Sequence, residues 1–423
     1  MNNDIEYVDS LPGTGKTHSY LDNMKSRPDE KFIYLSPLLD EVETRIQDHI
    51  PEGNFKSPEG KNKTDDVLKL LEDGENIACT HALFERFDER HWRAIEDQGY
   101  ELVCDEEVSA IKRYKCKNRD VEHLVEYGEV EVLEPCGKIS LLKPLSHFVG
   151  GSFEAIAREA AKGTLYRSKC KAGQIGYLVT QLPIDLFLAP KKTTILTYNF
   201  KGSMLDKFLE LHSISAQQKF IPLRKSNEEV IANLRSLINF KSTRAIEALS
   251  KYSLNWNWYN GARQDQLGQV GRAIRSVREL LKNDDSRMIV TLPKDNAGRG
   301  SRCVIRDRDR PILHLDKNGN PRPNKIDCFL AAKTRATNKY ADRDVVVHLY
   351  DRNPNMDVER YFNSYGMTLD RDQFALSEMI QFIFRSAVRN GKPMDLYIAS
   401  TRMKQLFENW LHQQEEEILD YAI

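Results

Sequence analysis

The chain has 423 residues, 40% of them hydrophobic and 30% charged, which is the composition of a globular protein long enough for two or three domains. Its 62 basic side chains balance 63 acidic ones to a formal net charge of −1. This excludes a protein built as one large basic surface but allows a basic groove offset by acid elsewhere.

In chain order, Ile5 to Asp9 reads as a short strand of β-branched and aromatic residues. Ser10 to Thr17, SLPGTGKT, follows, and Thr17 to Arg27 is helix-permissive up to Pro28. A glycine-rich turn between a strand and a helix N-terminus is a phosphate-binding loop. Gly13, Thr14 and Gly15 turn the backbone so that its N–H groups face phosphate oxygens. Lys16 supplies a point charge to the β- and γ-phosphates, and Thr17 a hydroxyl ligand for Mg²⁺. Ser10 stands where the motif usually has its first glycine. That position shapes the turn rather than the phosphate chemistry.

Lys31 to Leu35 reads as a buried strand, and Leu38, Leu39, Val42 and Ile46 as one face of a helix. Thr64 is expected to cap a short helix closed by Gly74. Asn76 to Thr80 and Tyr100 to Cys104 read as strands, with a helix over Trp92 to Glu96 between them. Strand alternating with helix is the pattern of a parallel sheet covered on both faces. The last of these strands runs into Asp105-Glu106-Glu107. Carboxylates at that end of a parallel strand are placed for ligand chemistry: Asp105 for Mg²⁺, Glu106 as general base toward an attacking water.

An insertion over about 111–190 interrupts the alternation. It carries two basic runs, Lys112 to Arg119 around Tyr114 and Arg167 to Lys171 beside Tyr166. Each suits either a nucleic-acid backbone with a stacked base or an ordinary solvated loop. Thr193 to Thr197 reads as a buried strand with a polar end. The chain is expected to pass to a second lobe over 213–226. That lobe begins with a mainly helical segment, 227–283, in which Trp256, Trp258 and Tyr259 form a core cluster. A strand at Arg287 to Thr291, a basic loop from Gly298 to Arg310, and further strands at Ile326 to Ala332, Val345 to Val347 and Leu396 to Ile398 complete an α/β pattern. Over 376–389, LSEMIQFIFRSAVR, the spacing predicts one amphipathic helix. Gln381, Arg385 and Arg389 lie at i, i+4 and i+8 along it, away from the apolar face. The arginine fork suits a γ-phosphate.

Taken together, these segments resemble the superfamily 2 (DExH/D-type) helicases and translocases, in particular compact helicases of bacteriophages and mobile elements. SLPGTGKT looks like motif I, LSPLLDEV (35–42) like motif Ia, CDEEV (104–108) like motif II and LTYNF (196–200) like motif III. KTRATNKY (333–340) looks like motif V and QFIFRSAVR (381–389) like motif VI. The resemblance implies two RecA-like P-loop NTPase lobes with parallel sheets, residues 1–213 and 214–423, and ATP with Mg²⁺ in the cleft between them. It implies that Lys16, Thr17, Asp105 and Glu106 act from the first lobe. Gln381, Arg385 and Arg389 act from the second, with Thr197, Arg335, Thr337 and Asn338 coupling to nucleic acid. Two features depart from the pattern. Arg389 falls four residues after Arg385 where the family spaces its arginines by three, so either is the candidate finger. The P-loop lies too near the start for the upstream glutamine motif that reads adenine.

The expectation is therefore an ATP hydrolase that translocates on single-stranded or duplex nucleic acid, DNA first, with replication or recombination proteins as candidate partners. Two rivals are a nucleotide-dependent adaptor or loader that hydrolyses slowly, and a small-molecule kinase. The kinase reading expects a single α/β lobe and leaves residues 326–423 without a role. Seven cysteines without a CxxC pair, and histidines without HExxH, point to reduced thiols and no structural zinc. With no long apolar run and no signal peptide, the expected setting is the cytoplasm, with no membrane partner, as a monomer or weak oligomer.

Overall fold

Strands buried on both faces build the first sheet. The computed structural model describes residues 4–37, 46–116, 118–171, 175–297, 304, 328–332 and 339–420. Contacts divide the chain into two compact units. The first comprises Met1–Ser10, Gly15–Arg224 and Pro354–Asp370; the second comprises Leu11–Thr14, Lys225–Asn353 and Arg371–Ile423.

In the first unit, β1 (Asp4–Asp9), β2 (Phe32–Ser36), β3 (Ile77–Thr80) and β4 (Glu101–Asp105) are separated by helices, among them Lys16–Lys25, Lys63–Glu72 and Glu89–Gln98. The insertion follows as β5 (Ile111–Arg113), β6 (Val130–Leu133), β7 (Lys138–Leu141), β8 (Leu165–Arg167) and β9 (Leu178–Gln181). The chain then returns to the first sheet with β10 (Lys192–Thr197) and β11 (Gln217–Gln218). The six-stranded sheet has the order β11-β1-β10-β4-β2-β3 and is parallel throughout. Ile5, Tyr7, Ile33, Leu35, Leu102, Cys104 and Ile195 pack on one face. Val8, Tyr34, Val103 and Leu196 pack on the other with Tyr20, Leu21 and Met24 of the Lys16–Lys25 helix. Burial on both faces is why these strands read as continuous apolar runs.

Asn62 occupies the N-cap position of the Lys63–Glu72 helix, so Thr64, expected there, lies in its first turn. The insertion forms a separate antiparallel sheet, β5-β9-β8-β7-β6. Its face is completed by the helix Met356–Ser364 and the segment after it: Val358, Tyr361 and Phe362 of the helix, and Leu369, pack with Ile111, Tyr166 and Val179. The first unit therefore runs past the expected boundary at 213 to Arg224 and takes in Pro354–Asp370.

The second unit has its own parallel sheet, ordered β12-β15-β14-β13 from β12 (Ile238–Lys241), β13 (Met288–Thr291), β14 (Val345–His348) and β15 (Met394–Ile398). The segment 227–283 is mainly helical, as expected, with the short strand β12 set into it. Leu237 and Ile238 continue the apolar spacing of the preceding helix, Asn227–Leu237, so the switch to an edge strand carries no break in pattern. The helix Gln264–Leu280 packs Leu267, Val270, Ile274 and Val277 against Met288, Val290, Val345 and Val347. Of the aromatic cluster, Tyr259 is fully buried and donates to the Leu349 carbonyl at 2.6 Å, whereas Trp256 is exposed.

Candidate functional site

The turn between β1 and the Lys16–Lys25 helix depends on two glycines with left-handed backbone, Gly13 at φ +88° and Gly15 at φ +89°. A side chain at either would be strained. Ser10 is not among the positive-φ residues. Its N–H donates to the Thr197 carbonyl at 3.1 Å, so a hydroxymethyl group is tolerated where the motif usually has glycine. Thr14 is buried, and its hydroxyl donates to the Leu11 carbonyl at 2.9 Å. Gly15 is the N-cap of the helix, and no side chain caps that end. Its first-turn N–H groups and positive dipole end are thus disposed toward an anion.

Lys16 donates from Nζ to the Ser10 carbonyl at 3.1 Å. Burial lowers its pKa, while the nearby carboxylates of Asp105, Glu106 and Asp9 act in the opposite direction. Thr17 donates its hydroxyl to Asp105 Oδ1 at 2.8 Å, across 88 residues of sequence. Tyr34 donates to the other oxygen, Oδ2, also at 2.8 Å. Asp105 is thereby fixed at the C-terminal end of β4, with one oxygen on the hydroxyl expected to bind a metal. An anionic oxygen beside a hydroxyl oxygen is a hard-donor pair, and it suits Mg²⁺ held between protein and phosphate. With Lys16 and the glycine turn, these residues fit a magnesium-bound nucleotide.

Glu106 follows the strand in left-handed backbone, φ +69°, and its N–H donates to the Leu196 carbonyl at 2.9 Å. Glu107 accepts from the Thr197 hydroxyl at 3.3 Å. Thr197, the last residue of β10, is in register with Asp9, and Leu196 with Asp105, so three strand ends lie side by side.

Sequence reasoning missed two residues of this group. One is Tyr34. The signal was a tyrosine in an otherwise apolar buried strand, whose hydroxyl needs a partner. The other is Asp9, whose carboxylate accepts from the backbone N–H groups of Asn199 at 2.7 Å and Phe200 at 2.8 Å. It ties the residue before the loop to the turn after β10. An acidic residue ending a buried strand was the available signal.

In the second unit the expected helix over 376–389 is not continuous. An α-helix covers Arg371–Ile383, and a 3₁₀ turn covers Ala387–Asn390. Ser386 stands between them in extended backbone, and its hydroxyl donates to the Ile383 carbonyl at 2.7 Å. A serine that bonds back to the preceding turn competes with helix continuation. Gln381 is therefore on the helix, its side chain 3.4 Å from the Ser377 hydroxyl. Arg385 is buried, donates to the Ala332 carbonyl at 3.3 Å and stands 5.8 Å from the Phe382 ring centre. Arg389 is exposed in the 3₁₀ turn. The three do not form one stripe. Arg335, Thr337 and Asn338 lie outside the described residues, as do the basic loop at 298–310 apart from Val304 and residues 38–42 of the motif Ia segment.

Four cations of the insertion's basic runs have acidic partners. Lys112 bonds Glu85, Arg113 lies 2.5 Å from Asp357, Arg167 2.5 Å from Glu122, and Lys169 3.8 Å from Glu134. Among the described residues, no helix is long and apolar enough to cross a membrane.

Comparison with known proteins gives two findings. Residues 232–411 match the family described as YonV C-terminal Rossmann-like domain, so this part of the chain is a Rossmann-like domain, in line with the parallel sheet of the second unit. The chain is also similar to the "SPbeta prophage-derived uncharacterized protein YonV" of Bacillus subtilis (strain 168). The two are 26% identical over 435 residues, covering 97% of this chain and 99% of that protein.

Proposed function

We propose that this chain is an ATP-dependent helicase or translocase acting on nucleic acid, DNA first, in the replication or recombination of a phage or mobile element. The observation that carries the reading is the 2.8 Å bond from Thr17 to Asp105 beside Lys16 at a glycine turn. Motif I and motif II converge there from positions far apart in sequence. Two parallel α/β sheets support a pair of RecA-like lobes. The prophage origin of a full-length relative supports the setting.

In this reading Lys16 and the loop N–H groups bind and orient the phosphates of ATP. Thr17 and Asp105 would hold Mg²⁺, which neutralises phosphate charge when bound. Glu106 accepts the proton of the attacking water. Gln381 and the arginines, Arg385 and Arg389, meet the charge that develops on the transferring phosphoryl group. Thr197, Arg335, Thr337 and Asn338 couple turnover to the nucleic acid. A small-molecule kinase leaves the second parallel sheet without a role. An adaptor or loader is separated by its rate.

The test is ATP turnover by the purified chain alone and with single-stranded DNA, duplex DNA and RNA. Stimulation by nucleic acid is expected, falling steeply with salt as counterions are released. Lys16→Ala should abolish turnover. At least one of Arg385→Ala and Arg389→Ala should lose it by about 10³-fold while still binding nucleotide. Turnover indifferent to every nucleic acid, or unchanged in Lys16→Ala, overturns the reading.

A further inference from the structure

The helix that carries Lys16 and Thr17 presents a second group of donors. His18 and Asp22 are four residues apart on Lys16–Lys25 and so share a face. His49, at the end of a helical turn over residues 46–49, meets them there. The His18 and His49 ring centres are 4.0 Å apart at an interplanar angle of 78°. His49 Nε2 lies 2.7 Å from Asp22 Oδ1. One donor atom from each of the three residues lies within 4.8 Å of the others.

We propose that His18, Asp22 and His49 form a binding site for a divalent transition metal, best matched by Zn²⁺. Zinc takes imidazole nitrogen and carboxylate oxygen at about 2.0 to 2.2 Å, which places tetrahedral donors about 3.4 Å apart. Closing from 4.8 Å requires side-chain ends to move by about 1.4 Å at most, within the reach of χ rotations. Two imidazoles and one carboxylate select zinc-like ions over Mg²⁺, whose preference is for oxygen alone. The Thr17–Asp105 pair has that all-oxygen character, so the two sites differ in kind. His18 and His49 are half-buried and Asp22 is exposed, which gives an ion an entry path from solvent. Three protein donors leave one position open for water or a further ligand.

Sequence reading expected no structural zinc, because the chain has no CxxC pair and no HExxH. An ion here would pin the helix behind the phosphate loop to the segment ending at His49.

The experiment is calorimetric titration of the full chain with Zn²⁺ in excess Mg²⁺ and without nucleotide, so it stands apart from the ATP reading. Co²⁺ in place of Zn²⁺ reports tetrahedral coordination by its visible absorption. One saturable site is expected. His49→Ala and Asp22→Asn should each weaken it at least about tenfold. His147→Ala, which alters an exposed histidine elsewhere, should leave it unchanged. Asp22 is exposed, so Asp22→Asn keeps the test valid if His49→Ala fails to fold. Absence of saturable binding, or an affinity unaltered by Asp22→Asn, overturns the proposal.

Discussion

Glu106 adopts a backbone conformation that costs a side chain other than glycine's on the order of 1 kcal/mol or more. Such strain persists where the surroundings impose it, and here the backbone bond to Leu196 does so. The consequence is a separation of stability from activity at one position. Glu106→Gln should retain nucleotide binding and lose hydrolysis by at least about 10²-fold. Glu106→Gly should lose it as fully, yet unfold at the same or higher temperature, because glycine accepts φ +69° without strain. Thermal unfolding followed with turnover checks both; a lower midpoint for the glycine variant would show that the side chain stabilises the fold. The phosphate loop was legible because its chemistry lies in eight contiguous residues. The contacts that orient it were not. Tyr34 reaches Asp105 across 71 residues and Asp9 reaches Asn199 across 190, and no local pattern records which strand ends become neighbours.

At the scale of elements, strands were legible wherever burial on both faces gave an apolar run, as at β2, β4, β10 and β14. The continuous helix expected over 376–389 failed because apolar spacing ran on through a change of structure at Ser386, where a side-chain hydrogen bond decided the outcome. At Ile238 the apolar spacing likewise ran unbroken from a helix into a short edge strand. The end of β14 carries its own consequence. His348 is fully buried with its ring against Phe382, and burial, aided by the Arg352 charge, pushes its pKa down to about 3. An unfolded histidine titrates near 6.5. Between about pH 3 and 6.5 the unfolded chain binds a proton that the native chain refuses. Stability therefore rises with pH across that window and is lost as pH falls through it. Urea unfolding between pH 5 and 7.5 should give a steeper pH slope for the parent than for His348→Leu. Equal slopes would mean that the imidazole is protonated within the fold.

At the scale of the whole molecule, the alternation of strands and helices announced α/β architecture, but not which segments complete which unit. Pro354–Asp370, with its helix Met356–Ser364, lies within the second half of the sequence, and its apolar residues carry no mark of their partners. That placement has a consequence for how the protein is made. The insertion's sheet emerges from the ribosome with Ile111, Tyr166 and Val179 uncovered, and residues 225–353 must be synthesised before the covering helix exists. At about 5 to 20 residues per second, those 129 residues take roughly 6 to 26 s. For that interval the nascent chain displays an apolar face that invites premature self-association, and a chaperone that holds unfolded chains has a defined surface to shield. A fragment ending at Arg224 should accordingly bind a hydrophobic dye and aggregate. Adding a peptide of residues 354–370 should restore its solubility, and a fragment that stays monodisperse alone would show that the face closes without it.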